Sequence, residues 1–273
     1  MKMSLKNKID FAVIFKVKNA NPNGDPLNGN RPRMSYDRIG EVSDVCIKRK
    51  IRNRLMEKWE KIFVQSDDNK LDDCKNLRER AEKTLKNDLS SKENADLLCK
   101  EWFDVRAFGQ VFAYGGDKKG TGLSIGVRGP VSIHSAFSVS PVEVTSIQIT
   151  KSVSGEGDGT KKGPDTMGMK HRVDEGVYVF YGSMNPQLAS KTGFRDEDAQ
   201  AIKGVLPKLF ENDASSARPE GSMEILKVLW WQHNCPHGQY SSAKVHRSLS
   251  VNAYGSYDLT PFKDLEPEPI DGF

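Results

Sequence analysis

Apolar and polar residues alternate near the start of the chain, over residues 9–18. One face of this segment carries Phe11, Val13, Phe15 and Val17. The other face is also partly apolar, because Ala12 and Ile14 lie on it. A period of two predicts a β-strand, and apolar residues on both faces are typical of a strand inside a sheet.

A helical pattern follows, in which apolar residues recur every three or four positions. These residues are Ile47, Ile51, Leu55, Trp59 and Ile62. Because positions at this spacing lie on one face of an α-helix, the pattern predicts a helix with a buried stripe. Asp44 belongs to the residue types that cap helices, so we predict that Asp44 caps this helix and that it ends near Phe63.

The later patterns complete an ordered series of elements. Residues 67–100 are rich in Lys, Glu, Asp and Leu and predict one or two exposed helices. Strand patterns cover residues 131–139, 142–150, 177–180 and 223–231, and a helical pattern covers residues 196–210. The tail after residue 261 is expected to be extended and poorly ordered. Strand, helix, strands, helix, strand is the order of an α+β, ferredoxin-like or RRM-like sheet with helices on one face.

Two segments predict long irregular connections. Residues 19–32 (NANPNGDPLNGNRP) are dense in Asn, Gly and Pro, which permit unusual backbone angles and expose N–H groups. Such a loop is suited to close contact with a phosphate. Residues 151–172 hold glycines and lysines without a sustained period, and they predict a long hairpin or projecting loop. A loop of this length usually has a function.

The composition is that of a globular protein. The 273 residues include 37% hydrophobic and 29% charged residues, and this length suffices for one large domain or two small ones. No apolar run approaches the about 20 residues that cross a bilayer, and the N-terminus lacks the apolar segment of a signal peptide. We therefore expect a cytoplasmic protein with no membrane partner.

Charge is unevenly distributed along the chain. The net charge of +4 is modest, but residues 48–61 contain seven Lys or Arg against Glu57 and Glu60. Lys48 and Arg52 lie along the edge of the apolar stripe, and Arg49, Lys50 and Asn53 lie further around the helix. A merely solvated face would place all basic residues opposite the stripe, so we favour a polyanion-binding helix.

Catalytic and metal-binding patterns are weak. Asp25 and Asp37 fall in loop regions, His134 and His171 stand alone, and no spacing indicates an acid-base pair. The segment His233-Asn234-Cys235-Pro236-His237 has zinc-ligand residue types but no second cluster, so a turn after a strand is favoured. The glycines of residues 115–122 fail as a nucleotide-binding loop, because Thr121 stands where the phosphate-binding lysine belongs. We therefore predict neither cofactor nor metal.

The segment Arg106-Ala107-Phe108-Gly109-Gln110-Val111 partly matches the RNA-stacking signature of RRM sheets. Ala107 replaces a glycine and Gln110 replaces an aromatic residue. Phe108 and Phe112 are therefore predicted to be core residues rather than platforms for bases.

Four segments together resemble a known family. They are Asn21-Pro22-Asn23-Gly24-Asp25-Pro26, Ser43-Asp44-Val45-Cys46-Ile47-Lys48-Arg49-Lys50-Ile51-Arg52, Arg128-Gly129-Pro130-Val131 and Thr166-Met167-Gly168-Met169-Lys170-His171. In this order and spacing the chain resembles, from about residue 8 to about residue 252, the crRNA-binding backbone subunit of the subtype I-C Cascade complex. That subunit belongs to the RAMP superfamily of CRISPR-associated proteins.

The resemblance implies a single RRM-like palm with a helical fingers insertion at about residues 64–101 and a β-hairpin thumb at about 151–173. It also implies the partners, which are the crRNA, target DNA paired through the guide, further copies of the chain lined up head to tail, and other Cascade subunits. Guide processing and target cutting are assigned to other subunits of this subtype. The resemblance thus implies a protein that is not an enzyme.

The resemblance also implies the residues that touch RNA. The palm contacts would come from Asn21, Asn23, Lys48, Arg49, Arg52, Asn53, Arg106 and Arg128. On the thumb, Met167 and Met169 would wedge against bases, with Lys170 and His171 beside them. A guide holder binds phosphate and ribose and leaves the base edges free, because base pairing supplies the specificity.

Two alternatives remain open from sequence alone. The first is a metal-independent endoribonuclease of the same superfamily that processes precursor crRNA, for which His171 is the one histidine we would suspect. The second is a general binder of single-stranded RNA or DNA, which usually interleaves aromatic and basic residues on strands. Here the basic residues lie on a predicted helix, so this second alternative ranks below the first.

Overall fold

Three long antiparallel strands form the centre of the molecule in the computed structural model, which describes residues 4–86, 90–114, 123–152 and 167–273. The strands are β1 (Ile9–Ala20), β2 (Gly24–Asp25), β3 (Arg31–Pro32), β4 (Ile39–Val42), β5 (Gly109–Tyr114), β6 (Leu123–Arg128), β7 (Val131–Ile133), β8 (Ala136–Pro141), β9 (Val144–Thr150), β10 (Met167–Met184), β11 (Met223–Gln232), β12 (Leu249–Val251), β13 (Tyr257–Leu259) and β14 (Glu268–Asp271). The helices are α1 (Asp44–Glu57), α2 (Leu77–Glu82), α3 (Ser91–Glu101), α4 (Phe103–Phe108), α5 (Pro186–Thr192), α6 (Asp196–Val205) and α7 (Ser242–Arg247).

The main sheet has the strand order β14-β11-β1-β10-β8-β4, and β7 and β9 also pair with β10. β1 lies between β10 and β11, antiparallel to both, which confirms the predicted central strand. The architecture is thus a mixed α/β fold built on one large sheet. None of the helices in the described part of the chain is long and apolar enough to span a membrane.

Both faces of the sheet are covered. Phe11, Val13 and Phe15 point into the larger core, where Ile51 of α1 and Ile202 of α6 pack against them. The opposite face carries a second core that includes residues of β1 and β11 and receives α7 and the β12–β13 hairpin. The expectation of helices on one face was therefore incomplete, because the short helix α7 lies on the other face.

Helix α1 differs from its predicted bounds at both ends. Its N-cap is Ser43, whose side chain accepts from the N–H of Cys46, so Asp44 is the first helical residue instead of the cap. The helix ends at Glu57, and Trp59 adopts a left-handed φ of 66°. The N–H of Glu60 then bonds to the carbonyl of Leu55 at 3.1 Å. This is a Schellman closure, which stops the helix about a turn and a half before Phe63.

Trp59 was wrongly placed in the buried stripe. Its side chain is 92% exposed, because the left-handed turn carries it away from the core. Ile62 is buried as expected, but it lies in the chain segment after the helix. Ile47, Ile51 and Leu55 are the buried stripe that the structure confirms.

The C-terminal tail is ordered, contrary to the prediction. β14 pairs antiparallel with β11, with Val228 opposite Ile270, and it forms one edge of the main sheet. The segment is extended as expected, but its backbone hydrogen bonds fix it. The helix predicted at residues 196–210 is shorter than expected, because α6 ends at Val205 and a 3₁₀ turn (Leu206–Lys208) follows.

The insertion after α1 has a small core of its own. Residues 67–100 hold α2 and α3, as their composition predicted. Ala81 and Leu98 of these helices pack with Phe63 and with Phe112 and Ile125 of the β5–β6 hairpin. Phe112 is fully buried, which confirms it as a core residue, and Phe108 packs half-buried against the larger core.

Candidate nucleic-acid interface

The N-terminal loop and a two-stranded arm meet at one place on the sheet. β10 begins in the arm, where it pairs with β9 from Met167 to Val173, and it then enters the main sheet beside β1. Val173 is opposite Val144 of the arm and also opposite Ala20, the last residue of β1 before the loop. The loop of residues 21–33 therefore starts at the base of the arm, although Ala20 and Val173 are 153 positions apart in the sequence.

The two asparagines predicted to touch RNA shape this loop. Asn21 is 3% exposed, and its amide donates to the carbonyl of Asn30 at 2.7 Å. The side-chain oxygen of Asn23 accepts from the backbone N–H of Ser43 at 3.0 Å and from its hydroxyl at 2.8 Å. Asn23 thus ties the loop to the first turn of α1, where the positive end of the helix dipole and unpaired N–H groups favour an anion.

Helix α1 presents a short outward stripe beyond this junction. Val45 is 65% exposed, Arg49 is exposed one turn later, and Asn53 is half-buried one turn further. Lys48 lies beside them and pairs with Asp44 at 3.0 Å. Arg49 is thus the basic residue of this stripe whose guanidinium is directed to solvent.

Arg52 is held inside the protein. Its Nε donates to the carboxylate of Asp104 at 2.8 Å, and its guanidinium lies 5.1 Å from the ring centre of Phe108. Asp104 is 1% exposed and also accepts from the backbone N–H groups of Phe63 and Val64. The pair therefore joins α1 to α4 and to the chain that leads into the insertion.

Arg106 is likewise held in an ion pair inside the protein, whereas Arg128 is exposed. Two nitrogens of Arg106 donate to the two carboxylate oxygens of Asp198 at 3.2 and 2.8 Å, and the guanidinium stacks 4.6 Å from the ring of Phe103. Arg128 ends β6, just before the chain turns into β7, which contacts α1. The sequence prediction grouped Arg106 and Arg128, but the structure separates their environments.

The dense basic run of residues 48–61 is mostly neutralised by tertiary contacts. Lys50 is 3% exposed and pairs with Asp213, which also accepts from Arg218 at 3.1 Å. Burial lowers the pKa of Lys50. Arg54 is 5% exposed and pairs with Glu57 at 2.8 Å. Most of the run is therefore engaged in ion pairs, and its exposed cations, Arg49, Lys58 and Lys61, do not form a continuous basic stripe.

The arm carries the other predicted contact residues. Residues that alternate along a strand share a face, so Met167, Met169 and His171 lie on one side of the arm and Lys170 on the other. Met167 is 67% exposed and Met169 55% exposed. His171 bonds through Nδ1 to the hydroxyl of Ser146 at 2.8 Å. The remaining residues of the predicted hairpin, 153–166, lie outside the described residues.

Two further basic residues belong to this surface. Arg31 and Arg33 lie at and after β3, which contacts β10 near the base of the arm, and Arg33 pairs with Asp25 at 3.5 Å. Neither arginine was predicted as a contact residue, because the basic cluster along the sequence lies on α1. Their place in and beside the Asn/Gly/Pro-rich loop was the signal that could have identified them.

The structure brings no metal-ligand set together among the described residues. His233 is 1% exposed, and its Nε2 lies 2.9 Å from the carboxylate of Asp10. His237 bonds through Nδ1 to the side chain of Gln187 at 3.0 Å, on the protein surface. The two histidines of the cysteine-containing segment thus have separate partners.

Comparison with known proteins identifies relatives of this chain. A family model described as CRISPR-associated protein Cas7 matches residues 7–268. The CRISPR-associated protein Cas7 of Haloferax volcanii is 24% identical over 285 residues, which cover 96% of this chain and 81% of that protein. A chain in a solved structure described as a CRISPR RNA-guided surveillance complex, pre-nicking, superposes with a TM-score of 0.52 at 16% identity, covering 82% of this chain and 78% of that one. At this identity the superposition shows a shared fold.

Proposed function

We propose, from the premise that this chain belongs to the family of CRISPR-associated protein Cas7, that it is the crRNA-binding backbone subunit of an RNA-guided surveillance complex. The observation that carries the proposal is the junction at Val173, where the Asn/Gly-rich loop, the first turn of α1 and the exposed arm converge. A loop that exposes backbone N–H groups beside a helix start is suited to phosphates, and an exposed arm is suited to a flexible chain.

The finer assignment follows the sequence resemblance. We assign the chain to a subtype I-C Cascade, in which copies assemble head to tail along the guide and hold it ready to pair with target DNA. The main sheet is the RRM-like palm, residues 64–101 are the fingers and residues 151–173 the thumb. Other Cascade subunits cap the assembly. The protein acts in antiviral defence by binding and carries out no cleavage.

We divide the proposed contact residues into two groups by their surroundings. Arg49, Arg128, Lys170 and the half-buried Lys48 and Asn53 contact RNA directly, and Arg31 and Arg33 join them. Asn21, Asn23, Arg52 and Arg106 act mainly by holding the loop, α1 and α4 in place. Met167 and Met169 displace bases from the arm, and His171 orients the arm through Ser146.

The endoribonuclease alternative rests on His171. This residue lies on the arm, and its Nδ1 bonds to the hydroxyl of Ser146 at 2.8 Å. General acid-base cleavage of RNA would require a side chain within hydrogen-bond reach of the proton that it moves.

The test is size-exclusion chromatography with light scattering, with and without a single-stranded RNA of spacer length. We expect a defined oligomer on intact RNA. Arg49→Ala with Lys170→Ala should weaken assembly, while the matched control Lys70→Ala with Lys92→Ala should leave it unchanged, because both control lysines are exposed and distant in sequence from the interface. One protein per RNA, or none, would contradict the proposal. Sequence-specific cutting of precursor RNA in EDTA would support the endoribonuclease instead.

A further inference from the structure

A second basic cleft lies where α3, α4, α5 and α6 meet. Its volume is about 450 Å³, and its lining includes Lys100, Arg106, Lys191 and Arg195 together with one carboxylate, Asp96. Lys100 and Lys191 are exposed at its rim. Four cations from four separate segments therefore face one cleft, and the sequence alone did not group them.

Two of these cations share a single buried carboxylate. Arg106 donates to Asp198 at 2.8 Å, and the Nε of Arg195 lies 3.7 Å from the same residue, which is 3% exposed. Glu60 lies 3.8 Å from Arg106, and Glu197 lies 3.9 Å from Arg195, so their contacts are looser. The carboxylate of Asp198 fixes both guanidiniums without using all of their N–H groups, because each guanidinium has five donors.

We infer that this cleft binds a phosphate group. Phosphate oxygens accept hydrogen bonds from several directions, which matches donors that come from α3, the end of α5 and the start of α6. Lys100 and Lys191 contact the phosphate, and the N–H groups of Arg106 and Arg195 that Asp198 leaves free donate to it.

The site is separate from the candidate nucleic-acid interface. Asn23 marks the interface at the start of α1, and Glu60, which pairs with Arg106, follows the other end of that helix. A helix of 14 residues is about 21 Å long, so one nucleotide phosphate cannot contact both sites. The phosphate comes either from a nucleic-acid backbone that passes the insertion or from a small phosphorylated molecule, and the two sources are distinguished by experiment.

The direct probe is inorganic pyrophosphate, titrated into the whole protein by calorimetry. Lys100→Ala with Lys191→Ala should weaken pyrophosphate binding by about tenfold or more, since each charged hydrogen bond lost weakens binding severalfold. The control Lys70→Ala with Lys92→Ala removes two exposed lysines, one of them on α3 itself, and should leave the affinity unchanged.

A second experiment identifies the source of the phosphate through the salt dependence of RNA binding. If a nucleic-acid backbone uses the cleft, the Lys100→Ala, Lys191→Ala protein should lose about 1.4 from the slope of log K against log salt. An unchanged slope with lost pyrophosphate binding identifies a small phosphorylated ligand. Unchanged pyrophosphate affinity together with an unchanged slope overturns the inference. Assembly on RNA is measured separately, so that result leaves the proposed backbone function standing.

Discussion

The imidazole of His233 donates its Nε2–H to the buried carboxylate of Asp10 across 2.9 Å. The backbone N–H of Gln239 donates to Nδ1 of the same ring, also at 2.9 Å, so Nδ1 is an acceptor and the proton lies on Nε2. Both side chains have no exposed surface. The contact joins the start of β1 to the segment after β11 and anchors the second face of the sheet.

Acid stability depends on this carboxylate. Burial alone raises the pKa of Asp10, but the hydrogen bonds from His233 and His246 outweigh burial and hold that pKa below its usual value. A depressed carboxyl pKa contributes stability that is complete above the unfolded value near 4 and is lost as the pH falls below it.

Asp10→Asn should therefore destabilise the protein at pH 7 by about 1.5–3 kcal/mol, the range for losing hydrogen bonds to a charged group. The difference from the natural protein should shrink as the pH falls from about 5 to about 3, within the range where the unfolded carboxyl titrates. Urea unfolding at several pH values measures this difference, with the exposed Glu220→Gln as control. A difference that does not change with pH would show that the carboxylate charge is unimportant.

Arg49 and Arg52 are expected to respond differently, although they lie three positions apart. Arg49→Ala should reduce the salt slope of RNA binding by about 0.7, the value for one phosphate contact with a single strand, with stability unchanged. Arg52→Ala should destabilise the fold by about 3–5 kcal/mol, because it leaves the buried Asp104 unpaired. Salt titrations and urea unfolding of both variants distinguish the roles, and exchanged phenotypes would refute this assignment.

Tyr178→Phe should stabilise the protein. The hydroxyl of Tyr178 is buried and has no hydrogen-bond partner among the described residues, and burial raises the pKa of this phenol. Removing a buried polar atom without a partner relieves a desolvation cost of about 1–3 kcal/mol, and part of this gain offsets the small space left behind. A rise of about 1 kcal/mol in the free energy of unfolding is expected. Tyr254→Phe, at a residue 92% exposed, is the matched control and should change nothing.

Trp59→Gly should also stabilise the fold. The indole is exposed and its backbone occupies the left-handed position of a Schellman closure, where a side chain costs about 1–2 kcal/mol. The greater freedom of glycine in the unfolded chain cancels part of the relieved backbone strain. The free energy of unfolding is therefore expected to rise by up to about 1 kcal/mol. Lys58→Gly, at the preceding residue with φ of −92°, should destabilise. Thermal unfolding gives both values, and equal effects would exclude backbone strain as the cause.

The arm methionines should matter for RNA and not for stability. Met167 and Met169 are more than half exposed, so changing both to alanine should leave the melting temperature within a few degrees of the natural protein. Fluorescent base analogues placed along a bound RNA should report fewer unstacked positions in the double variant. Thr150→Ala with Gln148→Ala, on the paired strand and the same face, is the matched control. Unchanged fluorescence would remove the methionines from the proposed role.

Local patterns predicted the elements well, because the strands and α1 bury continuous apolar faces. β1 and the stripe of Ile47, Ile51 and Leu55 are examples. The end of α1 was predicted wrongly because Trp59 has the spacing of the buried stripe. The Schellman closure ends the helix before this residue and turns its side chain away from the core. Spacing carries no information on where the backbone turns left-handed when the residue there is not glycine.

The charge of the first helix was overestimated for a different reason. Asp104 and Asp213, which neutralise Arg52 and Lys50, are 52 and 163 positions away along the chain. No local count of charge includes such partners. The residues of the loop and of the arm were each identified from sequence, but their meeting at Val173 depends on the pairing of β10 with both β1 and β9.

Through that pairing, β10 connects the arm to the main sheet without a break. Its 18 residues span about 60 Å, and one unbroken backbone runs from the tip side of the arm to the middle of the sheet. Met167 on the arm and Phe180 in the core therefore belong to one continuous strand. We expect a ligand bound by the arm to be coupled through β10 to the main sheet, so that its release involves bending of the strand or movement of the whole subunit.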